Sequence, residues 1–327
     1  DMAACFGAQP REIYFTSGGS EADNQALISA AALGKKQGKC HIVSTAMEHH
    51  AILHTLEALQ AEGFTVTLLR PQADGIVTAT QVAEAITDTT CLVSVMYANN
   101  ETGAIQPIRE IGALCRKRGV HFHTDAVQAA GHLAIDVQRN NIDMLSLSAH
   151  KFHGPKGIGL LFAKSSIQLT SLIRGGGQER GKRAGTENLP GIIGLAAALK
   201  DAQENMQQNT AYITGLRDAL RNGLDKIDGA GFNGSREHCL PGTVNYSFQG
   251  VNGEALLSLL SNEGICCSSG SACSAGSLEP SHVLLALGLS HETAQSALRF
   301  SLCEYNTMDE VQTIITKVTE AVNRLRR

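Results

Sequence analysis

The sequence predicts an α/β fold in which helices cover both faces of a mostly parallel sheet. Short apolar runs typical of strands alternate with helical segments along the N-terminal part of the chain, which favours parallel strands joined by helical crossovers. Polar residues follow directly after several of these runs, at the strand ends where such sheets bind ligands. We therefore expect a single pocket at that edge of the sheet.

The elements of this sheet are expected in a simple alternating order. Apolar runs predict strands at residues 13–15, 41–44, 65–69, 92–96, 121–124 and 144–147. Helical patterns predict helices near residues 21–34, 51–62, 79–86 and 108–118. The polar or small residues expected just beyond strand ends are Gly18, His49, Asn100, Asp125 and Ser148.

A different pattern begins after about Leu189. A long helical stretch starts at Gly191 and continues towards Ile227 with few breakers. It precedes a predicted strand at 243–248, a helix at 253–262, a strand at 297–302 and an amphipathic helix at 308–325. We place the boundary between a large domain, residues 1–205, and a smaller α+β C-terminal domain, residues 206–327.

Composition limits the classes of partner and compartment. The 327 residues carry a formal net charge of -4, which argues against a nucleic-acid partner bound by bulk charge. The sequence has no run of about 18 apolar residues, so no membrane span is expected. Nine cysteines, an odd number, in a chain too long to need disulfides predict reduced intracellular thiols and a cytoplasmic protein.

The segment from Ser148 to Gly157 is the most informative part of the chain. Lys151 lies just beyond a predicted strand, with a hydroxyl and an imidazole beside it. A lysine in this position suits an imine with an aldehyde cofactor, and pyridoxal phosphate also needs an acidic partner for its pyridinium nitrogen. Asp125, after another predicted strand, is the candidate partner. The alternative is an ordinary exposed lysine on a glycine-rich turn.

Two further segments fit a phosphate-bearing cofactor. Residues 13–24 have the pattern of a strand, a glycine turn and a helix start, where free N–H groups attract phosphate. Taken alone, the Gly-Gly-Ser turn favours a simple N-cap by Ser20. The turn lacks the Gly-Lys-Ser/Thr ending of a Walker sequence. His49 follows the second predicted strand and is suited either to stacking on a flat ring and passing protons or to a structural role.

Eight short motifs then occur in one order, from about Arg11 to the C-terminus. They are TSGGSE at 16–21, EH at 48–49, NNETG at 99–103, DAVQ at 125–128, SAHK at 148–151, RAGT at 183–186, SSGSAC at 268–273 and RFSL at 299–302. With these motifs the chain resembles the cysteine desulfurases, which are class V aminotransferase relatives that use pyridoxal phosphate. It is most similar to the subgroup whose catalytic cysteine lies on a long loop.

The resemblance implies a fold and an activity. The fold would be that of the aminotransferase-like, fold type I pyridoxal phosphate enzymes, with a large-domain sheet of the seven-stranded type. The activity would be conversion of L-cysteine to L-alanine, leaving a persulfide on Cys273 for iron–sulfur cluster assembly or other sulfur transfer. The implied partners are a second copy in a homodimer and a sulfur acceptor or iron–sulfur scaffold protein.

The resemblance also assigns roles to individual residues. Lys151 would hold pyridoxal phosphate covalently, Asp125 would keep its ring nitrogen protonated, and His49 would stack on the ring. Arg299 would grip the substrate carboxylate, which a planar guanidinium binds through two hydrogen bonds. The remaining cofactor contacts would come from Gln128 and Asn100 near the 3-oxygen, from Gly19, Ser20, Ser148 and His150 at the phosphate, and from Thr186 of a second subunit; Asn100 would also face the substrate.

Cys273 lies in a segment of small polar residues, 268–277, without a large apolar anchor, which predicts a mobile loop that exposes the thiol. Cys91 and Cys115 lie in apolar patterns, where buried inert thiols are usual. Cys266 and Cys267 are ambiguous. A zinc site formed by Cys266, Cys267 and Cys273 would lack both the ligand spacing and a fourth donor.

Two alternatives stay open at this point. Another fold type I enzyme, an aminotransferase or a selenocysteine lyase, would share the lysine and aspartate but would not need the loop cysteine. The chain also begins at Asp1 with its first strand close behind, whereas the resembled family has a further upstream segment that reaches the active site and the dimer interface. A fragment, a processed form or a truncated product is therefore expected, and a catalytically impaired chain is the second alternative.

Overall fold

The computed structural model describes residues 2–270 and 279–327. The chain packs as two compact units. The first comprises residues up to Arg70, Val77–Ala98 and Gln106–Met206, and the second comprises Pro71–Ile76, Asn99–Ile105 and the chain from Gln207 onward. Two short excursions from the N-terminal part therefore belong to the second unit, and the predicted domain boundary at residue 205 stays a prediction.

The first unit is built on a seven-stranded sheet with the strand order β1-β7-β6-β5-β4-β2-β3. Its strands are β1 (Ile13–Thr16), β2 (His41–Thr45), β3 (Thr65–Leu69), β4 (Thr90–Ser94), β5 (His121–Asp125), β6 (Met144–Ser148) and β7 (Gly159–Ala163). The strands β3, β2, β4, β5 and β6 are parallel, and β7 pairs antiparallel with both β6 and β1. The predicted α/β class and mostly parallel sheet are confirmed.

Helices of the first unit flank this sheet. They are α1 (Met2–Cys5), α2 (Gly19–Lys36), α3 (His50–Ala61), α4 (Ala79–Ala85), α5 (Ile108–Arg118), α6 (Gln178–Gly181) and α7 (Leu189–Glu204). Helix α2 packs against β4, β6 and β7 through small residues that are fully buried, Ala22, Ala26 and Ala30. Helix α5 ends at Arg118 and is capped by Gly119, which adopts the left-handed conformation favoured by glycine.

The second unit contains a three-stranded antiparallel sheet with the order β10-β9-β8. Its strands are β8 (Ala230–Phe232), β9 (Thr243–Phe248) and β10 (Ala297–Ser301). Its helices are α8 (Met206–Leu224), α9 (Gly253–Asn262), α10 (His282–Ala286), α11 (His291–Gln295) and α12 (Met308–Leu325). The buried core includes Tyr246, Phe248 and Leu298, and a reciprocal Thr307–Glu310 cap starts α12.

Several observed elements differ from the expected ones, and β8, α1, α6, α10 and α11 have no predicted counterpart. Strand β4 begins two residues before its predicted start at Leu92, and β7 was not predicted. The expected continuous helix after Gly191 is broken at Asn205 into α7 and α8. Within the described residues, no helix is both long and apolar enough to cross a membrane.

Candidate active site

The start of helix α2 forms one wall of the candidate site. The 18-residue helix begins at Gly19, and no side chain caps its N-terminus at Gly18. A Cβ atom on Gly19 would lie 2.6 Å from Val127 Cγ2 and 3.6 Å from Ser148 Cβ, so a larger residue would not fit. The start of the helix therefore lies next to the end of β6 and the turn after β5, and its first N–H groups suit an anion.

Asp125 and Lys151 interact in this region. Asp125 ends β5 and is buried, and its Oδ1 accepts a hydrogen bond from the Val127 N–H at 2.8 Å. Burial raises the pKa of Asp125 to about 6, while the Val127 hydrogen bond and the positive charge of Lys151 act in the opposite direction. Lys151 lies in the 3-10 helix Ala149–Phe152 directly after β6, and its carbonyl oxygen is 3.1 Å from His132 Nε2.

Ser148 and His150 lie on the lysine's own segment. Ser148 ends β6, and its Oγ lies 2.9 Å from His150 Nδ1. Burial and the charges of Lys151 and Lys156 lower the pKa of His150. A neutral imidazole beside a hydroxyl supplies one donor and one acceptor, which is compatible with binding a phosphate oxygen.

His49 and Ser20 line a second part of the first unit. Both contribute to a cavity of about 450 Å³ between α2 and α3. His49 caps α3, and its Nδ1 accepts a hydrogen bond from the Ala51 N–H at 3.1 Å. His49 therefore lies between β2 and α3, after the strand as predicted, and its Nδ1 is used by the helix cap. Its role in stacking on the cofactor ring stays a prediction.

The structure gives the positions of Gln128 and Thr186, but it does not test their predicted contacts with the cofactor. Gln128 is half-buried in the turn after β5. Thr186 is exposed in the irregular segment before α7. Its predicted contact is with a second subunit, so that role also stays a prediction.

Asn100 and Arg299 belong to the second unit, where they contact each other. Arg299, on β10, donates from Nη1 to the Asn100 carbonyl oxygen at 2.8 Å. The turn that carries Asn100 is fixed by Asn99, whose Oδ1 accepts from the N–H groups of Glu101 and Thr102, both at 2.9 Å. The guanidinium predicted to grip a carboxylate is thus held by the Asn-Asn-Glu-Thr-Gly turn.

Cys273 lies outside the described residues. Of the two cysteines before it, Cys266 is exposed, and burial raises the pKa of Cys267 to about 11. Burial raises the pKa of Cys91 to about 11 and that of Cys115 to about 12, so these two thiols are poor nucleophiles at neutral pH. The expectation that Cys91 and Cys115 are buried is confirmed.

Sequence reasoning missed a polar cluster inside the first unit. Asp23 on α2, Glu48 after β2 and His123 on β5 are almost completely buried, with exposures of 1%, 0% and 0%. All three belong to or adjoin recognisable motifs, but sequence alone gives no signal that these side chains point inward. His123 precedes Asp125 by two residues on the same strand, so their side chains share a face.

Comparisons with known proteins agree with this geometry. A family model described as Aminotransferase class-V matches residues 1–314. The chain is 49% identical to "Cysteine desulfurase IscS" of Clostridium botulinum over 328 residues, which cover 99% of this chain and 82% of that protein. The chain belongs to the cysteine desulfurase family.

The fold of this chain is also similar to that of solved structures. A "NifS-like protein" matches with a TM-score of 0.92 and 37% identity over 99% of this chain and 86% of its own. A structure titled "SspA in complex with cysteine" matches with a TM-score of 0.79 and 39% identity over 93% of this chain and 85% of its own. The predicted family and the fold type I aminotransferase-like class of this desulfurase-family chain are confirmed.

The family depends on pyridoxal phosphate, and the first unit of this family member fits that cofactor. An uncapped helix N-terminus next to Ser148 suits the phosphate, a buried carboxyl suits the ring nitrogen, and a lysine acts electrostatically on that carboxyl. These groups come from three neighbouring elements, which is the arrangement that a flat, phosphate-bearing ring requires.

Proposed function

We propose that this chain is a pyridoxal phosphate-dependent cysteine desulfurase that transfers the sulfur of L-cysteine to Cys273. The observation that carries the proposal is the buried Asp125 carboxyl under the influence of the Lys151 charge, beside the uncapped start of α2. Membership of the cysteine desulfurase family supports the reaction, and the similar protein SspA was solved in complex with cysteine, which supports the substrate.

The residues of the first unit would hold the cofactor. The N–H groups at Gly19 and Ser20, with Ser148 and His150, would bind the phosphate. Lys151 would hold the aldehyde carbon, and His49 would cover the ring. When bound, pyridoxal phosphate would supply an electron sink for negative charge that develops at the substrate α-carbon.

Asp125 would keep the ring nitrogen protonated. Because its pKa is about 6, the carboxyl is largely ionised at pH 7 and can pair with a pyridinium. The Lys151 amine is the proposed carrier of the substrate α-proton, since it is the base nearest the aldehyde carbon that it would hold. Gln128 and Asn100 would bond near the 3-oxygen.

Arg299 would orient the substrate through its α-carboxylate. Its Nη1 is already engaged by the Asn100 carbonyl, which fixes the plane of the guanidinium. A fixed guanidinium binds a carboxylate with less loss of side-chain entropy than a free one. Asn100 would thus position Arg299 as well as face the substrate.

The sulfur step balances without an added oxidant. The Cys273 thiolate attacks the substrate sulfur, an S–S bond forms, and the substrate C–S bond breaks. The electron pair of that bond stays with the substrate carbon, which takes up a proton and leaves as L-alanine. Cys273 retains the sulfur as a persulfide, ready for an acceptor thiol or an iron–sulfur scaffold protein.

The proposal includes a homodimer and a location in the cytoplasm. A homodimer would allow Thr186 of one subunit to reach the phosphate held by the other. No disulfide joins any of the eight described cysteines, which supports a reducing compartment such as the cytoplasm.

Product analysis tests this function. The cofactor-loaded chain should release L-alanine and, with an added thiol, sulfide from L-cysteine. Cys273→Ser should lower this turnover at least on the order of a hundredfold, because a serine hydroxyl is a poor nucleophile toward sulfur. Cys266→Ser, at an exposed cysteine, is the matched control and should keep wild-type turnover.

The alternatives give different products. A selenocysteine lyase would keep its activity in Cys273→Ser, and an aminotransferase would form a keto acid instead of alanine. A catalytically impaired chain would stay colourless after incubation with pyridoxal phosphate and would release no alanine.

A further inference from the structure

Three carboxyl groups lie buried inside the first unit. Asp23 comes from α2, Glu48 from the turn after β2 and Asp125 from the end of β5, and their exposures are 1%, 0% and 6%. Their charges act on one another: Asp125 raises the pKa of both Asp23 and Glu48, and Glu48 raises that of Asp23. Three buried carboxylates in one place would be very costly unless most of them hold a proton.

His123 does not supply the missing positive charge. Burial lowers the pKa of His123 to about 3, so the imidazole is neutral at physiological pH. Its Nδ1 lies 2.9 Å from Ser94 Oγ and its Nε2 lies 3.0 Å from Ser146 Oγ, so both ring nitrogens are engaged by hydroxyls. Asp23 Oδ1 is 3.7 Å from His123 Nε2, too far for a good hydrogen bond.

Asp23 is therefore better satisfied as a neutral acid. The Ser146 hydroxyl bonds its carboxyl, but Oδ1 has no hydrogen-bond partner among the described residues. An ionised carboxylate with a bare buried oxygen has a large desolvation cost, whereas a protonated one does not. Burial raises the pKa of Asp23 well above its ordinary range, and the neighbouring carboxyl charges raise it further.

Glu48 is held in a more polar setting but is also buried. Its Oε1 accepts from the Thr45 hydroxyl at 2.7 Å and from the Met96 N–H at 3.0 Å. Both bonds favour the ionised form, yet burial still raises the pKa of Glu48 to about 8. Glu48 thus loses its proton only above neutral pH.

We propose that Asp23 and Glu48 are positioning residues that stay neutral behind Asp125 and so leave Asp125 as the single negative carboxylate of the cofactor site. This inference rests on the proposed function of Asp125. The groups that act on the pair are Asp125 and His123 from β5, together with Lys151 from the segment after β6, whose charge reaches Asp125. If either partner were ionised, Asp125 would retain its own proton more strongly and would pair poorly with a pyridinium.

Infrared difference spectra of the full, cofactor-loaded chain test this charge assignment. The spectrum of wild type minus Glu48→Gln isolates the Glu48 carboxyl, and at pH 7 it should show the C=O stretch of a neutral acid. That band should disappear only as the pH rises above neutral, because burial raises the pKa of Glu48. Glu57→Gln removes an exposed glutamate of α3 and provides the control baseline. A carboxylate band for Glu48 at pH 7 would overturn the proposal.

Asp23→Asn tests the protonation state of Asp23 through its effect on the titration midpoint of Glu48. If Asp23 is neutral, its amide isostere should leave the Glu48 midpoint within about half a pH unit of wild type, because no charge is removed. A larger drop would mean that Asp23 is ionised and would refute the assignment. By contrast, Asp125→Asn should lower the Glu48 midpoint, since the charge of Asp125 raises the pKa of Glu48.

A further variant allows the Glu48 band to be identified even if Glu48→Gln fails to fold. Thr45→Val removes one hydrogen bond that lowers the pKa of Glu48, so it should move the same band to a higher midpoint and identify it without Glu48→Gln. The outcomes separate the two proposals. A protein that binds no pyridoxal phosphate but keeps this titration refutes the cofactor site alone, and a loaded protein with Glu48 ionised at pH 7 refutes the positioning role alone.

Discussion

Asp125 owes its charge to neighbours that act in opposite directions. Burial raises its pKa to about 6, and the Val127 N–H and Lys151 limit that rise. A carboxyl that is ionised at pH 7 while buried can bind a protonated ring nitrogen strongly, because little water competes for it. At the level of single residues, the account therefore depends on Lys151, Asp125 and the protons on their buried neighbours.

Lys151→Ala should abolish covalent attachment of pyridoxal phosphate and leave the fold intact. The lysine amine forms the covalent link, whereas the sheet and helices of the first unit are packed through other residues. Borohydride reduction followed by mass spectrometry of the intact chain measures the link. Lys156→Ala, at an exposed lysine of the same segment, should keep it. A reducible link that persists in Lys151→Ala would remove the lysine from its assigned role.

Glu48→Gln should change how stability depends on pH. Since the pKa of Glu48 is raised from 4.5 to about 8 in the folded chain, the folded state keeps a proton that the unfolded chain releases within this window. Wild type should therefore lose about 1.4 kcal/mol of unfolding free energy per pH unit relative to the variant as pH rises from about 4.5 to 8.

Urea denaturation of the full chain between pH 5 and 8 measures this difference. The Glu57→Gln control should parallel wild type at every pH, because Glu57 is exposed. Parallel curves for wild type and Glu48→Gln would mean that Glu48 has an ordinary pKa in the folded chain.

At the level of elements, the turn between β1 and α2 depends on the close approach of β7. A Cβ atom on Gly159 would lie 2.6 Å from the Cα and C atoms of Gly18 and 2.7 Å from the Leu147 carbonyl oxygen. The Leu147 oxygen belongs to β6, which pairs with β7, and the Gly18 atoms belong to the backbone of the turn between β1 and α2, so none of them can move aside cheaply. The packing of β7 thereby fixes the N-terminus of α2, where the phosphate is expected.

Gly159→Ala should destabilise the first unit by about 1–3 kcal/mol and weaken binding of pyridoxal phosphate, because the turn at Gly18 must shift. Thermal denaturation and an equilibrium titration with the cofactor measure the two effects. Gly231→Ala is the matched control, since Gly231 also lies in a strand but faces open space. Equal behaviour of the two variants would contradict the proposed contact.

Much of this architecture could be predicted from sequence, because strands and helices left periodic patterns. The bounds of β3, β9, α9 and α12 coincide with the predicted ones. Strand β7 was overlooked, although the apolar run from Ile158 to Ala163 marks it. Only ten residues separate β6 from β7, whereas a parallel crossover needs a dozen or more. The antiparallel direction of β7 could therefore also have been predicted.

The candidate site could be predicted only in part. Lys151, Asp125 and Gly19 lie in motifs whose chemistry is recognisable, and the structure places them on neighbouring elements. Asp23, Glu48 and His123 could not be assigned, because the burial of a polar side chain depends on what packs over it. The break at Asn205 was missed because a single asparagine is a weak helix breaker.

At the level of the whole molecule, the proposed roles are distributed over both units. Lys151 and Asp125 belong to the first unit, and Asn100 and Arg299 belong to the second. The excursion Asn99–Ile105 carries Asn100 into the second unit, where the backbone of Asn100 anchors Arg299. The proposed activity is therefore a property of the full chain, and it should be measured on the full chain.

The most direct test is to locate the sulfur after a single turnover. The full chain loaded with pyridoxal phosphate is mixed with L-cysteine without a reductant, alanine is quantified, and the extra sulfur is located by mass spectrometry of the peptides. We predict one L-alanine for each sulfur atom retained, and that sulfur on Cys273. Absence of alanine, or sulfur found on Cys266 or Cys267 instead, would contradict the account.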